Sequence, residues 1–296
     1  MASVVRAKAQ RRHELQPAET VAVQAACLTV ATSMGNLMDS LCIVGGFVPV
    51  LLIDRSPDAE CASESHPGTQ DLDLALDVGL LDVSQYTEIS ARLRREGFVQ
   101  DVNDNDNPTV QRWTFGPLKV TIDFLMAPVP GADPGIRIHK LEGDFGVVVT
   151  PGIDLAFDER VWVEMEGQTL KGERAARRIP VCGPGAFVVL KALAFHDRTE
   201  PKDAFDLVYV LRRWPGGVAN IIERLGTHVS KAPEMVRTAL RKLQDDFASV
   251  DHIGPRRAAA FELPPGVELD EVPDAIADAF GFVDDLLSGC RKSGLC

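Results

Sequence analysis

The chain has 296 residues, 45% hydrophobic and 25% charged, with a formal net charge of −12. That is enough apolar material for two domain cores, and it excludes disordered, collagenous and coiled-coil chains. The acidity argues against a uniformly basic surface that coats nucleic acid. Residues 160–260 nevertheless carry 17 Lys and Arg against 12 Asp and Glu. This segment could meet phosphates, or residues such as Arg174, Arg177, Arg178, Arg241 and Lys242 could simply form solvated faces.

In chain order, the pattern predicts a helix over 17–39 and a short apolar strand, 41–44, closed by Gly45 and Gly46. A short helix over 47–53 follows, with Pro49 tolerated in its first turn. The longest apolar run, 41–53, is interrupted by glycines and a proline and is too short to span a bilayer, so no membrane segment is expected. The basic N-terminus has no apolar stretch behind it, and a secretory signal is not expected. Cys27, Cys42, Cys61, Cys182, Cys290 and Cys296 show no zinc-site spacing and suit a reducing cytoplasm, although Cys290 and Cys296 could pair near the terminus. A polar insertion over residues 55–68 reads as a surface loop.

The stretch TQDLDLALDV alternates, with Leu72, Leu74 and Leu76 on one side and Asp71, Asp73 and Asp77 on the other: a half-buried strand. A helix over 84–96 stops at Gly97. Strands over 110–115 and 118–126 flank the turn signal Gly116–Pro117, and the second places Asp123 opposite Val120, Ile122 and Phe124. Short strands are expected around 136–141, 146–150, 160–165 and 177–181. Helical periodicity then takes over near 184–198, 201–213, 217–229, 231–249 and 270–289. The fold class is α+β: a mixed-sheet domain over 1–180 and a helical domain over 181–296.

Asp71 and Asp73, two apart on a strand, stand side by side and repel unless a cation separates them. If the Asp123 strand is their neighbour, three carboxylates without basic partners gather on one face. Oxygen-only ligands favour magnesium or manganese over zinc. The bland alternative is an ordinary exposed strand face. No P-loop, dinucleotide fingerprint, calcium loop or nucleophile elbow is present.

A hydrophobic strand ending in Gly45–Gly46, then Asp71-Leu-Asp73, then Asp123 on a later strand, resembles the signature of DNA polymerase β-type nucleotidyltransferases. That resemblance implies that the glycines admit a triphosphate, that Asp71, Asp73 and Asp123 hold divalent metal, and that Asp123 helps to deprotonate the attacking hydroxyl. Thr69 stands where a Ser or Thr is usual, and His66 is the nearest candidate for a basic residue commonly found before the Asp pair. The stretch from Pro180 to Arg213 is similar to the helical part of the AbiEii toxin family, matching at Lys191, Arg198, Lys202, Asp203 and Asp206. Lys191 is the only charge in AFVVLKALAF and must snorkel or meet an anion; a triphosphate at a domain cleft would serve. Asp203 and Asp206, three apart on one helix face, would orient Lys191 or Arg198 or contact the nucleotide.

The resemblance, over about residues 40–213, implies a magnesium- or manganese-dependent enzyme. It would move a nucleoside monophosphate from a nucleoside triphosphate to an acceptor hydroxyl, as a cytoplasmic toxin of a type IV toxin–antitoxin or phage-defence system. A tRNA acceptor and a cognate antitoxin are the implied partners. The alternatives are a small-molecule nucleotidyltransferase of the antibiotic-modifying kind and a catalytically inactive binding module.

Overall fold

The computed structural model describes residues 8–54, 65–77, 79–81, 83–102, 108–116, 118–129, 131, 137–143 and 145–296. Most of the polar insertion, with Cys61, lies outside them. The chain forms two compact units. One comprises Pro17–Phe47 and Gly68–Cys182 with the N-terminal residues; the other comprises Ala9–Gln16, Val48–Pro67 and Gly183–Cys296. Segments 9–16 and 48–67 thus group with the helices, a division more interleaved than a single border near residue 180.

The first unit is built on a mixed sheet. Its strands are β1 (Leu41–Val44), β2 (Asp71–Leu76), β3 (Val99–Val102), β4 (Pro108–Phe115), β5 (Val120–Met126), β6 (Ile138–Glu142), β7 (Phe145–Val149), β8 (Arg160–Gln168) and β9 (Arg174–Cys182). They run in the order β3-β4-β5-β2-β1-β9-β8, with β7 beside β5 and β6 beside β7. β2 lies antiparallel to β1 and parallel to β5. Helices α1 (Pro17–Met34) and α3 (Val83–Glu96) belong to this unit, with the short α4 (Leu155–Asp158).

Strand alternation decides what each face holds. Leu72 and Leu74 are register partners of Ile122 and Phe124, and all four are fully buried. α1 packs against β2, β5, β8 and β9. It has a high content of apolar residues, and Val23, Ala26, Cys27, Leu28, Val30 and Met34 are buried. By length and composition alone, the segment Pro17–Ser40 could cross a membrane. The candidate span is therefore this segment, not the 41–53 run, and its apolar side chains already form part of this unit's core. Cys42, Cys290 and Cys296 are free thiols, so Cys290 and Cys296 are not bridged.

The second unit contains α2 (Val48–Leu52), α5 (Pro184–Arg198), α6 (Pro201–Arg213), α7 (Gly217–Lys231), α8 (Pro233–Asp246), α9 (Ile253–Glu262) and α10 (Pro273–Lys292). Proline opens α5, α6, α8 and α10, where its missing N–H removes no helical bond. α6 packs on both α5 and α9, with the Phe205 and Phe261 rings 4.9 Å apart. Thr199 ends α5 with a left-handed φ of 52°. That sharp stop leaves two residues to connect α5 to α6, and the two helices pack against each other.

Candidate functional site

Two polar clusters stand out, one in each unit. In the sheet unit, Asp71 and Asp73 lie on β2, and the Cα register pairs Asp73 with Asp123 on β5. Register partners point to the same side of a sheet, so the three carboxylates share the face opposite Leu72 and Leu74. Asp71 accepts a hydrogen bond from the Thr121 hydroxyl. Thr69 is buried, with its Oγ1 3.4 Å from the Asp71 N–H.

The glycine turn after β1 abuts this face. Val44 pairs with Asp73, and Gly45 adopts φ +72°, where a Cβ would lie 1.9 Å from Asp73 Oδ2. Glycine is thus required both by the backbone and by the carboxylate beside it. Gly46 and Phe47 complete the turn and are buried.

A basic partner is also present, contrary to the expectation of three carboxylates alone. Arg112 is the register partner of Asp123 across β4 and β5. Its Nε donates to Asp123 Oδ1 at 2.8 Å and its Nη2 to Oδ2 at 2.6 Å. The side chains are 33% and 15% exposed. The hydrogen bonds that Arg112 donates to Asp123, helped by the charges of Asp123 and Asp71, hold the guanidinium even more firmly protonated than usual.

In the helical unit, Lys191 on α5 is buried and donates to Asp203 Oδ1 at 2.8 Å and Asp206 Oδ2 at 2.7 Å, both on α6. The anion it meets in the structure is this carboxylate pair. Arg198 forks onto Asp203 through Nε at 2.5 Å and Nη2 at 2.9 Å. Lys202 reaches Asp206 at 2.8 Å, one helical turn along. Burial alone would raise the Asp203 carboxyl, but Lys191 and Arg198 outweigh it and hold the group at about 2. Asp206 is pushed lower still, its burial outweighed by Lys191 and Lys202. Burial would likewise lower Lys191, yet the two aspartates bring it up to about 12.

Three more residues join this cluster: Asp54 and Tyr209, which the sequence motifs miss, and His66, the nearest candidate for a basic residue before the Asp pair, whose ring lies against Asp206. The His66 ring meets Asp206 Oδ1 through Nε2 at 2.9 Å. Burial lowers His66 to about 4 despite the Asp206 hydrogen bond, so at neutral pH it is uncharged and donates from Nε2. The His66 backbone N–H donates to Asp54 Oδ2 at 3.1 Å, and the Tyr209 hydroxyl donates to Asp54 Oδ1 at 2.6 Å. For Tyr209 the only available signal is helical: it lies three residues after Asp206, on the same side of α6.

A sequence model of the family described as "Nucleotidyl transferase AbiEii toxin, Type IV TA system" matches residues 69–279. The match covers well over half of the chain, including β2, β5, Lys191, Arg198, Lys202, Asp203 and Asp206. The chain belongs to the AbiEii family. No curated protein matches it as a relative. AbiEii membership implies a nucleotidyltransferase toxin of a type IV toxin–antitoxin system, with a nucleotide substrate and an antitoxin partner.

For the divalent cation that the polymerase β-type resemblance implies, the donor chemistry of this AbiEii chain fits at Asp71 and Asp73. Both are hard oxygen donors on one strand face, and the lack of a side chain at Gly45 lets the Asp73 carboxylate sit against the turn. Asp123 stands in register beside them, but both of its oxygens are engaged by Arg112. Among the described residues no three His, Cys, Asp or Glu side chains are arranged to hold an ion.

Proposed function

We propose that this AbiEii chain transfers a nucleoside monophosphate from a nucleoside triphosphate to a hydroxyl of tRNA, using magnesium or manganese at Asp71 and Asp73, in the cytoplasm. The observation that carries this reading is the β2–β5 register. It sets Asp73 beside Asp123, with Asp71 two residues away, at a glycine turn with no room for a side chain.

In the transfer, the acceptor oxygen bonds to the α-phosphorus and the bond from that phosphorus to the bridging oxygen breaks, releasing pyrophosphate. The acceptor's proton passes to Asp123. Bound at Asp71 and Asp73, the cation neutralises phosphate charge. Gly45 and Gly46 let the phosphates approach the main chain. Thr121 fixes the rotamer of Asp71 through its hydroxyl. Lys191, Arg198 and Lys202 outnumber Asp203 and Asp206, and their positive surplus suits a phosphate. Arg198 and Lys202 are the accessible members, with side chains 45% and 18% exposed. Lys191 is held by both aspartates and orders them. The basic excess over residues 160–260 favours a polyanionic acceptor.

The Arg112–Asp123 pair favours the second reading, an inactive nucleotidyltransferase fold that only binds partners. One assay separates the two. Purified protein is incubated with magnesium, each labelled triphosphate and total tRNA, beside Asp71→Ala. The expected result is labelled tRNA that falls at least about a hundredfold in the variant. Label on a small molecule instead would replace the acceptor. No transfer, together with no manganese-dependent nucleotide binding, would establish the inactive reading.

A further inference from the structure

The geometry points to Arg112 as a latch on Asp123, competing with the divalent cation for that carboxylate and yielding it when a substrate phosphate draws the guanidinium away. This rests on the metal-dependent reading above and adds a positioning residue to it.

Both donors of one edge of the guanidinium meet both oxygens of Asp123, at 2.8 and 2.6 Å. A carboxylate held in this bidentate way has its charge compensated and its best lone pairs filled, so it is a poor metal ligand until released. Neighbouring carboxylates have different partners: Asp71 takes the neutral Thr121 hydroxyl, and Asp73 sits against Gly45. The latch therefore acts on one ligand of the three. A third of the Arg112 side chain is exposed, which leaves the guanidinium a path outward. A phosphate matches the same fork, so a triphosphate is the anion suited to pull it from Asp123. With the latch open, the Asp123 carboxylate faces Asp71 and Asp73 with its own lone pairs released, and its demand for a cation rises. Nucleotide and metal thereby favour each other, as linkage requires.

The test measures Mn2+ affinity by electron paramagnetic resonance without nucleotide, for wild type, Arg112→Gln, Arg112→Lys, Asp123→Asn and the Arg112→Gln/Asp123→Asn double variant. Arg112→Gln should bind Mn2+ about five- to tenfold more tightly than wild type. Arg112→Lys keeps the charge but loses the fork, so it should fall between them. In the Asp123→Asn background the gain from Arg112→Gln should vanish. A gain that persists there would show simple through-space repulsion and overturn the latch. A second arm measures a non-hydrolysable triphosphate in EDTA, which Arg112→Gln should bind about fivefold more weakly; unchanged affinity overturns the phosphate-driven release. Should Arg112→Gln fail to fold, the Arg112→Lys result decides, and affinity equal to wild type refutes the latch. Equal Mn2+ binding by all variants removes the latch and leaves the metal-dependent reading standing. Mn2+ that binds none of them removes both.

Discussion

Asp206 is the residue on which the helical unit's charge balance turns. Its side chain is fully buried, and it accepts from Lys191 at 2.7 Å, from Lys202 at 2.8 Å and from the His66 ring at 2.9 Å. Asp206→Asn keeps the shape but removes the charge. It also turns an amide N–H₂ toward one of the ammonium groups. Breaking a buried ion pair from one side costs about 3–5 kcal/mol, because the partner stays buried and uncompensated. Here Lys191 keeps Asp203, and the Lys202 side chain is 18% exposed and can recruit water. Those two reliefs place the expected loss near the lower end, about 3 kcal/mol. Urea denaturation followed by circular dichroism measures it. Lys191→Met should cost a similar amount. The double variant should be less destabilised than the two losses combined by about 2 kcal/mol, since each change removes the other's stranded charge. A single loss under about 1 kcal/mol, or strict additivity, would show that the cluster is solvated and that its paired geometry stabilises nothing.

Two further outcomes follow from the same geometry. Gly45→Ala forces a left-handed φ on a residue with a side chain and sets a Cβ 1.9 Å from Asp73 Oδ2, so stability should fall by about 1–3 kcal/mol in urea titration. Mn2+ affinity should fall with it as the carboxylate is displaced, and unaltered affinity would show that the turn and the metal site are independent. His66 titrates at about 4 when folded, against an ordinary value of 6.5, because burial disfavours its charge. Between those values the unfolded chain binds the extra proton, so stability is full at pH 7 and is lost as pH falls through the window, by about 2 kcal/mol at pH 5. His66→Gln should flatten this dependence, and a wild-type stability that is level from pH 7 to 5 would show that the ring is solvated.

The sheet face was readable because strand alternation does not depend on register. Asp71 and Asp73 share a side of β2 whatever lies next to them, and Asp123 shares the side opposite Ile122 and Phe124 on β5. What alternation leaves open is which strands are neighbours, since a helix and two strands separate β2 from β5 in sequence. The same rule would have exposed Arg112. A hairpin between β4 and β5 puts position 112 on the Asp123 face in the observed register and also in one slipped by two residues. β3 escaped detection because Val-Gln-Asp-Val at an open edge has no face that must be apolar; Val99 is largely exposed. α9 carries Pro255 in its first turn and an Arg-Arg-Ala-Ala-Ala run, with little contrast between its faces.

The partner of Lys191 follows from chain geometry more than from its apolar surroundings. A charge within AFVVLKALAF calls for an anion, and a phosphate or a carboxylate answers that demand equally well. The connection decides between them. Only Thr199 and Glu200 separate α5 from α6, so the helices must fold back as neighbours, and positions at similar distances from the turn come opposite one another. Lys191 lies about two helical turns before the link; Asp203 and Asp206 lie within two turns after it, on one face. The closest anions to the ammonium are therefore supplied by the chain itself. Arg198 and Lys202, at the ends nearer the turn and nearer to solvent, are left as the cations best able to take an external phosphate. That ordering gives the motif a division of labour: the interior lysine fixes the aspartates, and the aspartates fix the outer cations. Lys191→Met should then weaken nucleotide binding through disordered neighbours, and Lys202→Met through lost contact. With stability restored by low temperature, only the first defect should recover.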